Sequence, residues 1–289
     1  LPAQVKRIRE DAPDVLIYPE VGMDGATMAL AALRLAPVQC VSWGHPVTTG
    51  LPTMDYFLTS AAMEPSASDD SYSETLVRLP ELSISYGKPD LPALERTRAD
   101  FGLPQDQVLY LSCQSLFKYL PENDDVWVEI KKGCADAHFV FINNKSSKLT
   151  ERFKLRLGQR FTAAGLDLAE CATFVGPLQF SDYLQLNGLC DIYLDSLGWS
   201  GGNTSLEALA WSLPMVTLKG EWMRGRHTSA ILELMSMEEW VADDRAGYVK
   251  RAIMLGQNPE KRREVRGMLA ERSEQIYRNT RPIRALEAF

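Results

Sequence analysis

A glycine-rich turn that leads directly into a helix is the first candidate for chemistry. In "LDSLGWSGGNTSLEALAWSL", Gly201 and Gly202 separate an apolar, strand-like run from leucines at helical spacing. Glycine has no Cβ, so a ligand can approach the backbone closely. We expect Asn203 or Thr204 to cap the helix, whose free N–H groups and dipole favour an anion such as a diphosphate. Glu207, one turn on, could accept hydrogen bonds from ribose hydroxyls. The turn indicates a nucleotide site, although an ordinary strand-to-helix connection has the same pattern.

A second polar loop, "LSCQSLFKYLPE", also follows a strand-like run and contributes a cation, Lys118. Ligands of open α/β sheets bind outside the carboxyl ends of the strands. If both loops lie at one sheet edge, the Lys118 ammonium meets the same ligand and neutralises charge on a leaving phosphate. The alternative is a solvated surface lysine. Two polar loops on the same edge favour the site.

His45 is a third candidate, in the loop "SWGHPVTTGLP" after a predicted strand. An imidazole there could bind a ligand or transfer a proton. A loop histidine that packs against Trp43 fits the spacing equally well. The role of His45 therefore stays open between catalysis and packing.

Several common motifs are missing. The chain has no Asp-x-Asp pair and no GxxxxGK[ST] loop, and the order of elements around its glycines is not that of a GxGxxG fingerprint. Without Asp-x-Asp we expect no divalent metal, so that Lys118 and the helix N-terminus stabilise a departing diphosphate by themselves.

The elements that must position these loops alternate regularly. From Val108, the strand-like runs "QVLYLSCQS", "HFVFINN", "ATFVGPL", "DIYLDSL", "PMVTL" and "EEWVA" are separated by helical lengths. This alternation is typical of βαβ units around a buried parallel sheet, a complete Rossmann-like lobe. The runs "DVLIYPEVG", "PVQCVSWG", "MDYFLTS" and "TLVRLP" come earlier and resemble the last part of another lobe. The fold class is α/β.

These patterns divide the chain into four parts. The Pro-rich and charged stretch before Val108 is predicted to connect the two lobes. The segment "PEKRREVRGMLAERSEQIYRN" is predicted to form one long amphipathic helix. The predicted parts are the remainder of an N-terminal lobe (1–88), a linker (89–106), a C-terminal nucleotide-binding lobe (107–257) and a C-terminal helix that packs back on the fold (258–289).

Composition excludes several classes of protein. A net charge of −7 and a pI near 5.2 argue against nucleic-acid binding. No run of 18 apolar residues predicts a membrane span. Five dispersed cysteines without a CxxC pair suggest reduced thiols in a cytoplasm. The sequence begins without methionine, and we expect an excised portion of a longer protein.

Four blocks of the sequence together resemble one family. "LAPVQCVSWGHPVTTGLPTMDYFLTS", "YSETLVRLP", "SLFKYLPE" and "LGWSGGNTSLEALAWSLPMVTLKGEWMRGR" are similar in order and spacing to the catalytic region of the O-GlcNAc transferases, most of all the bacterial SPINDLY-like branch. The resemblance implies a GT-B fold, with residues 1–88 on the acceptor side. It also implies an inverting, metal-independent transfer of N-acetylglucosamine from UDP-GlcNAc to Ser or Thr of proteins.

The resemblance also implies roles for residues of the donor site. Lys118 matches the lysine that binds the diphosphate, and Glu207 matches a carboxylate that holds the ribose, where animal members carry Asp. Tyr183 replaces a histidine that stacks on the base, and the backbone near Leu178 matches the stretch that pairs with uracil. The remaining matches are pocket-lining Gln114 and Ser115 and the diphosphate-gripping segment of Gly202, Asn203 and Thr204.

Two departures from the family keep alternatives open. Animal members have a histidine where Gly202 stands, and neither the first-lobe histidine loop nor TPR repeats have a counterpart in this sequence. The alternatives are a protein N-glucosyltransferase that uses UDP-glucose on Asn, a non-catalytic module that binds a UDP-sugar, and a scaffold that binds only a protein. The implied partners are UDP-GlcNAc or UDP-glucose and an acceptor protein or peptide, without cofactor, nucleic acid or membrane. His45 and the donor's own phosphate are the candidates for the general base.

Overall fold

The computed structural model describes residues 1–289, which form two compact units. The first unit comprises Leu1–Ser85, Glu221–Arg224 and Asn279–Phe289, and the second comprises Tyr86–Gly220 and Gly225–Arg278. No helix in residues 1–289 combines the length and the apolar character needed to cross a bilayer. Each unit is built on its own parallel sheet.

The first unit contains a four-stranded sheet in the order β1-β2-β3-β4, with every pair parallel. Buried Cys40, Leu58 and Leu79 form a small core, against which Ala285 and Leu286 pack. The strands are β1 (Val15–Tyr18), β2 (Val38–Ser42), β3 (Tyr56–Ser60) and β4 (Thr75–Leu79), and the helices of this unit are α1 (Pro2–Asp11), α2 (Gly25–Ala31) and α11 (Arg281–Ala288).

The end of the chain differs from the single long helix that the sequence predicts. Helix α10 (Pro259–Arg272) ends early, and a 3₁₀ turn over Ser273–Gln275 separates it from α11. Tyr277 turns inward, and its hydroxyl donates to the carbonyl of Leu206 at 2.5 Å. That buried anchor explains why one continuous helix is interrupted.

The second unit has six parallel strands in the order β10-β9-β8-β5-β6-β7. The chain starts in the middle, runs outward through β6 and β7, and then returns to fill the other side from β8. The strands are β5 (Val108–Ser112), β6 (Ala137–Ile142), β7 (Ala172–Val175), β8 (Ile192–Leu194), β9 (Met215–Leu218) and β10 (Val241–Ala242).

The strand order reverses between β5 and β8, which are direct neighbours: Tyr110 pairs with Ile192 and Leu111 with Tyr193. Loops that leave the carboxyl ends of two such strands diverge to opposite faces and open a crevice, the usual ligand site of this architecture. The two candidate loops of the sequence are the ones that follow β5 and β8. Topology therefore places them side by side.

Eight helices cover this sheet. Those that bear on the site are short and follow the loops after β7 and β8. The helices are α3 (Asp125–Gly133), α4 (Ser147–Ala163), α5 (Leu168–Cys171), α6 (Phe180–Leu189), α7 (Asn203–Ala210), α8 (His227–Leu234), α9 (Arg245–Gln257) and α10.

Each of the ten strand-like runs in the sequence forms a strand, and the predicted α/β class is confirmed. The stretch 89–106 lies in the second unit and is held by α6. The backbone N–H groups of Glu95 and Arg96 donate to the Gln185 side chain at 2.9 and 2.8 Å. All five cysteines are buried free thiols.

His138 on β6 generates a prediction about acid stability. Its side chain is buried, with Nε2 2.8 Å from Thr173 Oγ1. Burial, assisted by the charge of Lys131, lowers the pKa of His138 to about 4. Between the folded-state pKa and about 6.5, the unfolded chain binds a proton at this histidine more readily than the folded chain does. The free energy of unfolding therefore decreases as the pH is lowered across that window.

We expect the free energy of unfolding to drop by about 2 kcal/mol from pH 7 to pH 5 on account of this group alone. Urea denaturation at both pH values measures the drop for wild type and for His138→Gln, which keeps a polar partner for Thr173. The variant should lose about 2 kcal/mol less than wild type over this interval. An equal loss in the two proteins would contradict the assignment.

Candidate functional site

The glycine-rich turn connects β8 to α7, but its cap differs from the prediction. Gly202 is the N-cap residue of α7 and no side chain caps the helix, so the expectation that Asn203 or Thr204 does so is wrong. The reason is that Thr204 Oγ1 lies 3.3 Å from the hydroxyl of Tyr193 and accepts from Gln114 Nε2 at 3.5 Å. The N-terminus of α7 is consequently left without a side-chain acceptor, as an anion-binding helix requires.

Asp195 at the end of β8 holds the turn in place. Its carboxylate is 2% exposed and accepts hydrogen bonds from Gly201 N at 2.8 Å, Ser200 Oγ at 2.6 Å and Thr217 Oγ1 at 2.7 Å. Burial raises the pKa of Asp195, and these hydrogen bonds oppose the rise. The sequence places Asp195 at the carboxyl end of an apolar strand, but its role was not predicted, because only the folded sheet brings its partner Thr217 on β9 close.

Helix α8 supplies a second anchor for the turn. Thr228 Oγ1 lies 2.9 Å from Ser200 Oγ and 2.7 Å from Ser205 Oγ. A Cβ on Gly201 would collide with the hydroxyl of Tyr193 and come within 2.5 Å of Ser205 Oγ. Gly201 is thus required by packing inside the protein, a different reason from the ligand approach that the sequence suggested.

The loop after β5 is fixed by a buried tyrosine. The hydroxyl of Tyr119 lies 2.8 Å from Ser112 Oγ and accepts from Gln114 N at 3.0 Å. Gln114 is buried and reaches Thr204 in the glycine-rich turn, whereas Ser115 is exposed at the start of a 3₁₀ turn that contains Lys118. The structure therefore brings together the two loops that the sequence singled out.

Lys118 is partly buried, and its ammonium lies 5.2 Å from the ring centroid of Trp199 in the glycine-rich turn. Burial lowers the pKa of Lys118, and the negative charge of Asp195 acts in the opposite direction. The lysine thus faces the same crevice as the start of α7. Trp199 is another residue that the sequence analysis did not single out.

Glu207 lies in the second turn of α7 and is only 7% exposed. Burial raises the pKa of its carboxyl group, while hydrogen bonds from the hydroxyls of Tyr183 and Tyr86 lower it. Reciprocally, burial and the nearby Glu207 raise the pKa of Tyr86 to about 12. Two tyrosine hydroxyls therefore lie close to the carboxylate. Tyr86 could not be found from sequence, because it lies 121 positions away.

Two aromatic residues lie on α6, the helix that follows β7. Tyr183 on α6 stacks on Phe180, with ring centroids 6.3 Å apart and planes inclined by 28°, and Phe180 is 57% exposed. Leu178 is partly buried in the loop between β7 and α6. Phe180 adds an exposed aromatic face that the sequence analysis overlooked.

His45 belongs to the first unit. It follows β2, and its ring packs so closely on Gly22 that a Cβ there would lie 2.5 Å from the ring carbon Cδ2. In the same loop, Thr48 Oγ1 and Thr49 N donate to buried Glu74 at 2.7 and 2.8 Å. The loop is ordered by this carboxylate, and a catalytic role of His45 stays a prediction.

No group of three or more His, Cys, Asp and Glu side chains in residues 1–289 is arranged to hold a metal ion. That the site works without a metal stays a prediction.

The contacts of Asp195 generate a prediction about the turn. Asp195→Asn replaces one acceptor oxygen with an N–H₂ donor, which faces groups that donate. We expect the free energy of unfolding to fall by about 1.5–3 kcal/mol, the range for hydrogen bonds to a charged group. Urea denaturation measures this, with the exposed Asp243→Asn as the matched control. Equal stability of the two variants would show that Asp195 does not anchor the turn.

Comparison with known proteins agrees with this geometry. The family model for glycosyl transferase family 41 matches residues 3–86 and 88–282. An O-GlcNAc transferase mutant from Thermobaculum terrenum superposes with a TM-score of 0.82 at 27% identity, over 99% of this chain and 54% of that one. This likeness confirms the predicted GT-B fold class.

Two curated relatives differ in the sugar that their names carry. The probable UDP-N-acetylglucosamine–peptide N-acetylglucosaminyltransferase SPINDLY of Petunia hybrida is 29% identical over 249 residues, which are 86% of this chain and 26% of that protein. The UDP-glucose:protein N-β-glucosyltransferase of Actinobacillus pleuropneumoniae is 25% identical over 264 residues, 89% of this chain and 40% of that protein. The chain thus spans well under half the length of these relatives. The resemblance to O-GlcNAc transferases is confirmed, and the chain belongs to glycosyl transferase family 41.

Proposed function

We propose that the chain binds a UDP-sugar in the crevice between the β5 and β8 loops and transfers the sugar to a protein side chain. The observation that carries the proposal is the convergence of Lys118, the uncapped start of α7 and Glu207 at the point where the strand order reverses. We propose UDP-GlcNAc as donor and Ser or Thr as acceptor, in line with the name of the Petunia hybrida relative.

Each part of the donor has a matching group. The diphosphate lies at the start of α7, where Gly202, Asn203 and Thr204 present backbone N–H groups and Lys118 supplies positive charge. The ribose hydroxyls donate to Glu207, because a carboxylate with two tyrosine donors retains acceptor capacity.

The base of the nucleotide extends towards α6. The backbone near Leu178 pairs with the edge of uracil, and the stacked rings of Tyr183 and Phe180 offer an aromatic surface beside it. Gln114 and Ser115 line the pocket from the β5 loop.

Transfer requires inversion at the anomeric carbon. The acceptor hydroxyl attacks this carbon on the face opposite to UDP, the new C–O bond forms, and the bond to the β-phosphate oxygen breaks. The bonding electrons leave with UDP, whose added charge is stabilised by Lys118 and the α7 N-terminus. The hydroxyl proton passes to a base, for which His45 and a donor phosphate oxygen are the candidates. We propose that no metal takes part.

The first test is calorimetric titration of the chain with UDP in the presence of EDTA. We expect micromolar affinity, about −8 kcal/mol, for wild type. Lys118→Met should weaken UDP binding about 10- to 100-fold, equivalent to about 1.4–2.8 kcal/mol, because it removes a charge that faces the diphosphate. The exposed Lys250→Met is the control and should bind UDP normally. Failure of wild type to bind UDP would exclude the proposed donor site.

A second candidate function is transfer of glucose to Asn, favoured by the Actinobacillus pleuropneumoniae relative. The same donor-site residues serve either sugar. Mass spectrometry of Ser/Thr- and Asn-containing peptides incubated with UDP-GlcNAc or UDP-glucose distinguishes them, and we expect a GlcNAc adduct on Ser or Thr. A glucose adduct on Asn would establish the second candidate, and UDP binding without any adduct would indicate a non-catalytic binding module.

A further inference from the structure

We propose that Trp199 is a positioning residue for Lys118: its indole face holds the lysine ammonium in the crevice and keeps the positive charge available to the diphosphate. The proposal rests on the proposed function, and it adds a residue that neither the motifs nor the family resemblance singled out. Its basis is the contact between the ammonium and the Trp199 ring, 5.2 Å from Nζ to the ring centroid.

The contact answers a physical difficulty of the site. Lys118 is partly buried, and a buried ammonium loses hydration that must be replaced. A carboxylate partner would replace it but would also neutralise the charge, and an anionic ligand would have to displace that partner. An aromatic face attracts the cation through its quadrupole and leaves the net charge unchanged. Trp199 therefore stabilises Lys118 without competing with the diphosphate.

The backbone at Trp199 is held firmly. The carbonyl oxygen of Trp199 accepts a hydrogen bond from Ser196 Oγ at 2.5 Å, and the next residue, Ser200, donates to buried Asp195. Gly198 before it has a φ of +83°, a left-handed conformation that favours glycine and turns the chain back towards the β5 loop. A rigid turn thus presents the indole to a flexible lysine, and the tryptophan is the element that determines where the ammonium lies.

The test is a double-mutant cycle on UDP affinity, measured by calorimetry with the full chain. Trp199→Leu keeps apolar bulk and removes the π face, and Trp199→Phe keeps a smaller π face. We expect Trp199→Leu to weaken UDP binding about tenfold and Trp199→Phe about threefold or less, in line with the range of cation–π energies. In the Lys118→Met background, Trp199→Leu should have almost no further effect on UDP binding.

Uridine distinguishes two possible roles of Trp199: positioning the charge of Lys118 and supporting the pocket in general. It shares the nucleoside but lacks the diphosphate, so its affinity, measured by ligand-observed NMR, should be the same in wild type and Trp199→Leu. Equal weakening of uridine and UDP, or a tenfold loss that persists without Lys118, would overturn the positioning role. Thermal unfolding of each variant shows whether the fold is intact.

A spectroscopic measurement tests the contact without any ligand. The ε-methylene protons of Lys118 lie near the indole and should resonate upfield through its ring current. This shift should vanish in Trp199→Leu and persist in part in Trp199→Phe. A lysine signal that is unaffected by Trp199→Leu would overturn the proposal. Absence of UDP binding by wild type would instead overturn the proposed function, and with it the purpose of the contact.

Discussion

The buried carboxylate of Asp195 is the constraint on which the site depends. An ionised carboxylate removed from water is costly unless hydrogen-bond donors surround it, and here the donors come from the glycine-rich turn and from β9. The backbone carbonyl of Asp195 also accepts from Tyr248 on α9 at 2.8 Å. These hydrogen bonds hold the turn in the observed conformation. That conformation aims the start of α7 into the crevice and places the indole of Trp199 beside Lys118.

The other half of the crevice is fixed by packing. Tyr119 fastens the β5 loop through Ser112 and Gln114, and its ring packs against Trp127 and Phe153 at centroid distances of 5.9 and 5.3 Å. Arg156 on α4 adds a hydrogen bond to the carbonyl of Tyr119 at 2.6 Å. A rigid scaffold on both sides keeps the ligand-binding groups preorganised, which reduces the entropy that binding must overcome.

Much of this could be predicted from the sequence, and the exceptions share a cause. Strands such as Val108–Ser112 are continuous apolar runs, and the turn at Gly201 and Gly202 has a local signature, so pattern alone identified them. Asp195 and Tyr86 were missed because their roles depend on partners brought close only by the folded sheet. The capping prediction was wrong for the same reason.

The polar groups of the crevice combine into a distinctly asymmetric electrostatic environment. It contains two carboxylates, Asp195 and Glu207, yet both are turned towards donors of the protein: backbone and hydroxyl groups for the first, tyrosine hydroxyls for the second. The positive groups are arranged in the opposite way. The Lys118 ammonium rests on an aromatic face without a salt-bridge partner, and the N-terminus of α7 carries no side-chain cap. Since negative charge is masked and positive charge is left open, the field at the strand ends favours an anion. The number of charges alone, two carboxylates against one ammonium and a helix N-terminus, would disfavour an anion, so a preference for an anion here depends on which charges the protein satisfies internally.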